Sequence, residues 1–384
     1  MQSGLNSLLK CVIFYTNTFN FFEGDIMSLI LGLESSCDET AAAVVQDGNV
    51  VLGSEVASQI ARHAPHGGVV PELAAREHLK ALLPVTQNAL SKAGVTMKDI
   101  DAVAVTQGPG LIPALLVGLN YAKGLAQAND LPLIGVNHFL AHIYGAFLDG
   151  KADMLKRPES YPLLALVVSG GHTSLLLVDK DGSARQLGCT IDDAAGEALD
   201  KGAKLLGLGY PGGPVMQKTA EGGDVSRFSF PRPLTGAAGK PVSPENRYNF
   251  SFSGIKTALL YHVRNVGEEC RADAGWLKDT VAGYQDAVVD VLVKKTLLAV
   301  KDFPVRTVVV AGGVACNAEL RRQMSERLPG NVTLHLAPPK YCTDNAAMVG
   351  GIAYHAFKRG EFSDLSIDSF ARLPRIVTVP FVEK

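Results

Sequence analysis

Two histidines, His138 and His142, stand four residues apart in the stretch Asn137-His138-Phe139-Leu140-Ala141-His142. On a helix that spacing places them on one face, one turn apart, where two imidazoles can share a metal ion. Asp344, in the turn Cys342-Thr343-Asp344-Asn345, could add an oxygen ligand. A His/His/carboxylate set leaves coordination positions open, as a catalytic rather than a closed structural site does. Plainer roles fit the same residues. The chain has nine histidines, so the pair could be surface or capping residues. Thr343-Asp344-Asn345 is also what a helix N-terminus selects.

Asp38 and Glu39 follow the first apolar strand, in a turn where a carboxylate could act as a base, hold a metal-bound water or satisfy local amides. Other turns are rich in glycine. Ser169-Gly170-Gly171 has no bulky side chain to keep phosphate oxygens from backbone N–H groups, and Gly312-Gly313 could let an adenine or ribose lie on the backbone. Asp192, Asp193 and Asp200 surround a further glycine turn, where they could hold ribose hydroxyls or face solvent. No phosphate-binding G-x-x-x-x-G-K-[ST] loop occurs, and no G-x-G-x-x-G follows the first strand.

The elements that must carry these turns form two cycles. Leu31–Val45 (LGLESSCDETAAAVV) and Leu164–Val178 (LALVVSGGHTSLLLV) share a layout of apolar strand, polar turn and apolar strand. A strand ending in glycine follows in each half, at Thr106–Gly110 and Val310–Val314. Long helical patterns are expected from Pro71 to about Ala93, over Leu111–Gln127, from Ser253 as N-cap, and over Trp276–Asp302. Asp47-Gly48 predicts a hairpin. Two duplicated α/β halves predict two lobes facing across a cleft, with the turns at the strand ends lining it.

The 384 residues suffice for two domains. With 47% apolar and 19% charged residues the composition is that of a globular α/β protein, and a net charge of −2 provides no global attraction to nucleic acid or anionic membranes. The six cysteines (Cys11, Cys37, Cys189, Cys270, Cys316 and Cys342) show no C-x-x-C spacing, which predicts reduced, mostly buried thiols in a cytoplasmic protein. Residues 1–26 contain no arginine, their apolar part is too interrupted to span a membrane, and Met27 directly precedes the first strand. They are expected to be a non-native extension.

GLESSCDET (Gly32–Thr40), GGVVPELAAREH (Gly67–His78), QGPGL (Gln107–Leu111), HFLAH (His138–His142) and VSGGHT (Val168–Thr173) occur in the same order as in a known family. So do IDDAAGEALDKGAKLLGLGYPGGP (Ile191–Pro214), FSFSGIKT (Phe250–Thr257), AGGVACN (Ala311–Asn317) and CTDNAAM (Cys342–Met348). Over about Met27 to Gly360 the chain resembles the bacterial TsaD family, once called Gcp or O-sialoglycoprotein endopeptidase. The resemblance implies an α/β ASKHA fold, that of actin and the sugar kinases, with two duplicated RNase H-like lobes around a central cleft. Lobe I would span 27–137, with a C-terminal helix at about 345–360 packing back on it. Lobe II would span 138–344 with a surface insertion at about 226–249, and 361–384 would form a tail.

The implied activity is transfer of threonylcarbamoyl from threonylcarbamoyl-AMP to N6 of adenosine 37, in tRNAs reading codons that begin with A. By the same resemblance His138, His142 and Asp344 match metal ligands, usually for iron, Fe2+, with zinc an alternative. Val167, Val168, Ser169, Gly170, Gly171, Asp200, Gly213 and Asn317 match substrate-contacting positions, and Asp38 and Glu39 match an acidic pair needed for activity. The implied partners are tRNA, a TsaB-like paralogue and a TsaE-like ATPase, with no membrane. Arg227, Arg232, Arg247, Lys256, Arg321 and Arg322 are candidates for a basic rim. The competing readings are an ASKHA-type small-molecule kinase and a metallo-endopeptidase. A kinase does not need the histidine helix. The endopeptidase lacks a glutamate after His138, where Phe139 stands.

Overall fold

The computed structural model describes residues 27–236, 241–267, 273–372 and 376–382. The expected extension over residues 1–26 lies outside them, as do parts of the expected insertion and tail. The chain opens with β1 (Leu29–Glu34), β2 (Glu39–Gln46) and β3 (Val50–Ser58). The β2–β3 hairpin turns at Asp47 and Gly48, with φ of 49° and 67°. Positive φ at both positions matches the twist of antiparallel strands, as the Asp-Gly pair predicts. Helix α1 (Pro71–Ala93) starts on proline, which has no N–H to leave unpaired, and stops at Gly94 with φ of 70°. Strand β4 (Ala102–Gly108), helix α2 (Ile112–Asn129), strand β5 (Leu133–Asn137) and helix α3 (His138–Gly145) follow.

The second cycle comprises β6 (Leu163–Val168), β7 (Thr173–Val178), β8 (Ser183–Cys189), α4 (Ala195–Leu205), α5 (Gly212–Ala220), α6 (Ser253–Arg264), α7 (Ala274–Asp302), β9 (Thr307–Ala311), α8 (Ala318–Arg327) and β10 (Thr333–Leu336). Helix α9 (Ala346–Lys358) and the short β11 (Ile376–Thr378) complete it.

The first sheet has the order β3-β2-β1-β4-β5 and the second β10-β9-β6-β7-β8-β11. In the first, β1 is antiparallel to β2 and parallel to β4, which is parallel to β5. In the second, β6 is antiparallel to β7 and parallel to β9, which is parallel to β10. Read from β8 to β10, the second sheet repeats the first strand for strand, so the duplication legible in sequence is a duplication of topology. Strand β8 was not expected: Ser183–Cys189 carries Arg185, Gln186 and Gly188 and lacks a clean apolar alternation. Strand β11 adds three residues antiparallel to β8.

All eight residues of α3 are buried, and one continuous apolar core runs from Ile30 and Ala104 through Phe139, Ile143 and Tyr144 to Leu164 and Val310. The histidine helix therefore stands between the two sheets. Helix α9 packs on β1, where a Cβ on Gly32 would come 2.3 Å from the Ala346 carbonyl oxygen and 2.6 Å from Gly350 N. Glycine at 32 lets helix backbone lie directly on strand backbone. Among the described residues, no helix is long and apolar enough to cross a membrane.

Ser253 does not cap α6; Phe252 holds the cap position, with no side-chain cap of its own. The Asp192 carboxylate does this work from a distance, accepting from Phe252 N at 2.8 Å and from the Ser251 and Ser253 hydroxyls at 2.5 and 2.7 Å. The segment before α6 is fastened to α7. Arg227 pairs with Asp279 at 2.7 Å, Arg247 with Asp302 at 2.7 Å, and Lys295 Nζ donates to the Asn246 and Arg247 carbonyls.

Candidate metal centre

The end of β5 delivers the two histidines. The Asn137 side chain accepts hydrogen bonds from Phe139 N at 3.0 Å and Leu140 N at 3.2 Å, so this residue caps α3 and fixes its first turn. His138 and His142 then lie on one helix face with ring centroids 4.6 Å apart. Asp344 meets them from the turn before α9. Its Oδ1 lies 3.0 Å from His142 Nε2 and 3.5 Å from His138 Nε2, and one ligand atom from each residue falls within 4.8 Å of the others. The N-cap of α9 is the next residue, Asn345, whose side chain accepts from Met348 N. Asp344 is thereby free of the capping role its sequence context also allowed.

Behind His138 stands Glu34, fully buried at the end of β1. Its Oε2 lies 3.0 Å from His138 Nδ1 and accepts from the Thr106 hydroxyl at 2.6 Å, while Oε1 accepts from Ser36 N at 2.6 Å. This is the carboxylate–imidazole support that orients metal-binding histidines. A carboxylate only accepts, so Nδ1 carries the proton and the Nε2 lone pair points at Asp344. Two electron-rich atoms facing each other in a buried site call for a cation between them, either a proton or a metal ion. Burial disfavours a charged His138, yet the Glu34 and Asp344 carboxylates outweigh it and raise its pKa to about 10. Burial also opposes ionisation of Asp344, but the two histidines hold its pKa well below the usual carboxylate range. Two imidazole nitrogens and one carboxylate oxygen converging on one point fit a divalent transition metal such as iron or zinc.

The acidic turn belongs to the first sheet. Asp38 is buried, and Glu39 accepts a hydrogen bond from Ser58 at 3.3 Å. Burial, then the charges of Asp344 and Asp38, push the Glu39 carboxyl up to about 10. Tyr210, half-buried on the second lobe, is raised by burial and then by Asp38 and Asp200. The electrostatic reach of Asp38 thus crosses the cleft.

On the opposite wall, Gly170 and Gly171 are exposed, and a Cβ on either would meet nothing within 4 Å. Gly196 packs against the back of this turn. Gly312 has φ of 93°, and a Cβ there would strike the Val168 carbonyl, so only glycine fits. Asp200 accepts from Gly212 N at 2.6 Å at the start of α5, and its pKa is raised by burial. Gly213 beside it faces open space.

Other expected positions are occupied by the fold itself. Val167 and Val168 are core residues of β6 and offer a ligand only backbone. The Asn317 side chain caps α8 through Leu320 N and donates to Gln285 at 2.9 Å. Asp192 is committed to α6, and Asp193 is ion-paired with Lys201 and Lys256. The six basic-rim candidates are engaged as well. Arg227, Arg232, Arg247, Lys256 and Arg322 pair with carboxylates, and Arg321 donates to the Ala315 and Ala337 carbonyls. Arg227, Arg247 and Arg322 remain about half exposed while paired. Glu34 was missed in sequence: an acidic residue closing an apolar strand does not by itself show that Thr106 and His138 will meet it.

The chain as a whole is similar to known proteins. A family model described as TsaD, tRNA N6-adenosine threonylcarbamoyltransferase, matches residues 50–351. A protein of that name from Syntrophus aciditrophicus is 48% identical over 355 residues, covering 92% of this chain and 99% of the relative. One from Syntrophotalea carbinolica is 50% identical over 349 residues, covering 90% and 96%. Among solved structures, HypF from T. kodakarensis superposes with a TM-score of 0.54 at 14% identity, over 89% of this chain and 49% of that one. That likeness concerns the fold alone, which is the two-lobed ASKHA architecture. From the family match and the extent of these relatives, the chain belongs to the TsaD family of tRNA N6-adenosine threonylcarbamoyltransferases.

Proposed function

We propose that this chain is the acyltransferase that moves threonylcarbamoyl from threonylcarbamoyl-AMP to N6 of adenosine 37, in tRNAs reading codons that begin with A. The observation that carries the reading is the convergence of His138, His142 and Asp344. An acidic turn on one lobe and open glycine turns on the other flank them.

The acyl group of such a mixed anhydride is already activated, so the protein needs no nucleophile. Gly170 and Gly171 would give backbone N–H groups to the phosphate, and the bare backbone at Gly312-Gly313 would take the adenosine face. Ser169, Asp200 and Gly213 line the same wall; Val167, Val168 and Asn317 would contribute main chain. Iron or zinc held by His138, His142 and Asp344 would supply Lewis acidity and a fixed orientation for an adenylate oxygen. As N6 bonds to the carbonyl carbon, the bond from that carbon to the phosphate oxygen breaks and AMP departs. Asp38 accepts the proton released by the amine. The reaction is then mainly one of placement.

With the candidate basic residues paired internally, tRNA affinity is left largely to partners, which supports a TsaB-like paralogue and a TsaE-like ATPase. A groove of about 400 Å³ between α1 and α2, lined by Leu79, Leu82, Leu83, Leu116, Val117 and Tyr121, supports docking of the paralogue. The test is reconstitution. The metal-loaded chain with both partners, threonylcarbamoyl-AMP and an unmodified tRNA should yield threonylcarbamoyladenosine, read by mass spectrometry of the nucleosides. No product from the complete mixture overturns the proposal, and phosphorylation of a small molecule or cleavage of a peptide would return one of the competing readings.

A further inference from the structure

His78, on α1, is fully buried and lies outside the metal centre, yet both its ring nitrogens are engaged with the acidic turn. Nε2 is 3.0 Å from the Cys37 carbonyl oxygen, and Nδ1 is 2.7 Å from the Thr40 hydroxyl. A carbonyl only accepts, so Nε2 carries the proton and Nδ1 must accept. The Thr40 hydroxyl therefore donates to Nδ1, as does the Gln59 side-chain amide from 3.4 Å.

The same logic fixes the groups behind it. Val70 N donates to His63 Nδ1 at 3.3 Å, so His63 Nε2 carries the proton that reaches Gln59 Oε1 at 3.1 Å. The Gln59 amide is thereby oriented with its NH2 toward His78. Protons run in one direction, from the Val70 amide through His63, Gln59 and His78 to the Cys37 carbonyl. Burial lowers the pKa of both His63 and His78, which keeps the imidazoles neutral and this direction intact.

The end of the chain matters most. The Cys37 carbonyl belongs to the peptide before Asp38, and the Asp38 carbonyl belongs to the peptide after it. The first is held by His78, and the second accepts from Gln59 N at 3.0 Å. With a hydrogen bond on each flanking carbonyl, both peptide planes about Asp38 are held, which restricts its two soft dihedrals. We propose that His78 is a positioning residue of the acyl transfer: by gripping Cys37 and Thr40 it sets the direction in which Asp38 and Glu39 face the cleft. The inference rests on the proposed role of Asp38 as proton acceptor.

The experiment compares His78→Ala, His78→Gln, Thr40→Val and Asp38→Asn in the reconstituted complex, with kcat, the KM for each substrate, bound metal and thermal midpoint measured together. Loosened positioning should lower kcat by about 100-fold in His78→Ala while KM values change less than about two-fold and metal stays bound. His78→Gln keeps a donor near the Nε2 position and should recover most of that loss. Thr40→Val, nearly isosteric, should lower kcat without forming a cavity, and with Gln it carries the test if the alanine variant does not fold. Unchanged kcat in the His78 and Thr40 variants, alongside an inactive Asp38→Asn, overturns this inference alone. An active Asp38→Asn overturns it together with the role of Asp38. Loss of metal or of thermal midpoint in proportion to kcat would show a structural role only.

Discussion

The β1–β2 and β6–β7 connections occupy the same place in two copies of one topology, yet they do opposite things. The first is packed with polar and ionisable groups: Glu34 behind it, His78 and Gln59 beneath it, Asp38 within it and Glu39 at its end. The second presents Gly170 and Gly171 with open space where their side chains would be. On the proposed function, each copy of the sheet would supply half of what a mixed anhydride needs, a carboxylate at the reacting end and bare backbone at the phosphate end. The two walls share one topology and differ in the residues of their turns.

The sharpest break in this comparison is at the residue that joins the walls. Asp344→Ala should release the metal and lower transfer by about 1,000-fold or more, read by metal stoichiometry and nucleoside mass spectrometry. A variant that keeps its metal would remove Asp344 from the ligand set. Next, the two turns should fail in different parameters. Asp38→Asn should reduce kcat by about 1,000-fold with adenylate affinity preserved. Gly170→Val, whose Cβ would meet nothing within 4 Å, should fold normally and weaken adenylate binding by about ten-fold or more, with kcat at saturation less affected. If both variants changed the same parameter, the division of labour between walls would fall.

Glu34→Gln should be milder still, reducing metal affinity by about 10- to 100-fold, because the ligands remain but His138 is less firmly oriented. The smallest effect is a pH slope. His172, at the second turn, has its pKa lowered from 6.5 to about 4 by burial and then by neighbouring His138. Between those values the unfolded chain binds the extra proton. Its contribution is therefore complete above about pH 6.5 and is lost as pH falls toward 4, by at most about 1.4 kcal/mol per pH unit. In urea melts at fixed metal loading His172→Gln should flatten that slope; an unchanged slope would place the acid sensitivity elsewhere.

Much of this was legible in the sequence because it is written in local patterns. The strand–turn–strand repeat, the i,i+4 histidines and the Asp-Gly hairpin each depend on neighbours along the chain, and the structure places them as their spacing implies. What escaped depends on distant partners. Strand β8 has a poor apolar alternation and is defined by pairing with β7. Ser253 had the right chemistry for a cap, but Phe252 holds that position and Asp192, about sixty residues earlier in the chain, supplies the acceptor. Arg232 and Arg247 read as surface charge until α7 brought Asp290 and Asp302 to them. Glu34 is the most instructive case. Its carboxylate is meaningful only once β4 supplies Thr106 and α3 supplies His138, which no local pattern announces.

The contact of Gly32 with Ala346 and Gly350 has a consequence for biosynthesis. A ribosome releases β1 more than three hundred residues before the helix that lies on it, so the part of that face not reached by α3 must wait, uncovered, for almost the whole of translation. Ribosome-bound chains ending before Ala346 would bind chaperones through that face, and release would come only with the arrival of the segment that also brings Asp344 to the histidines.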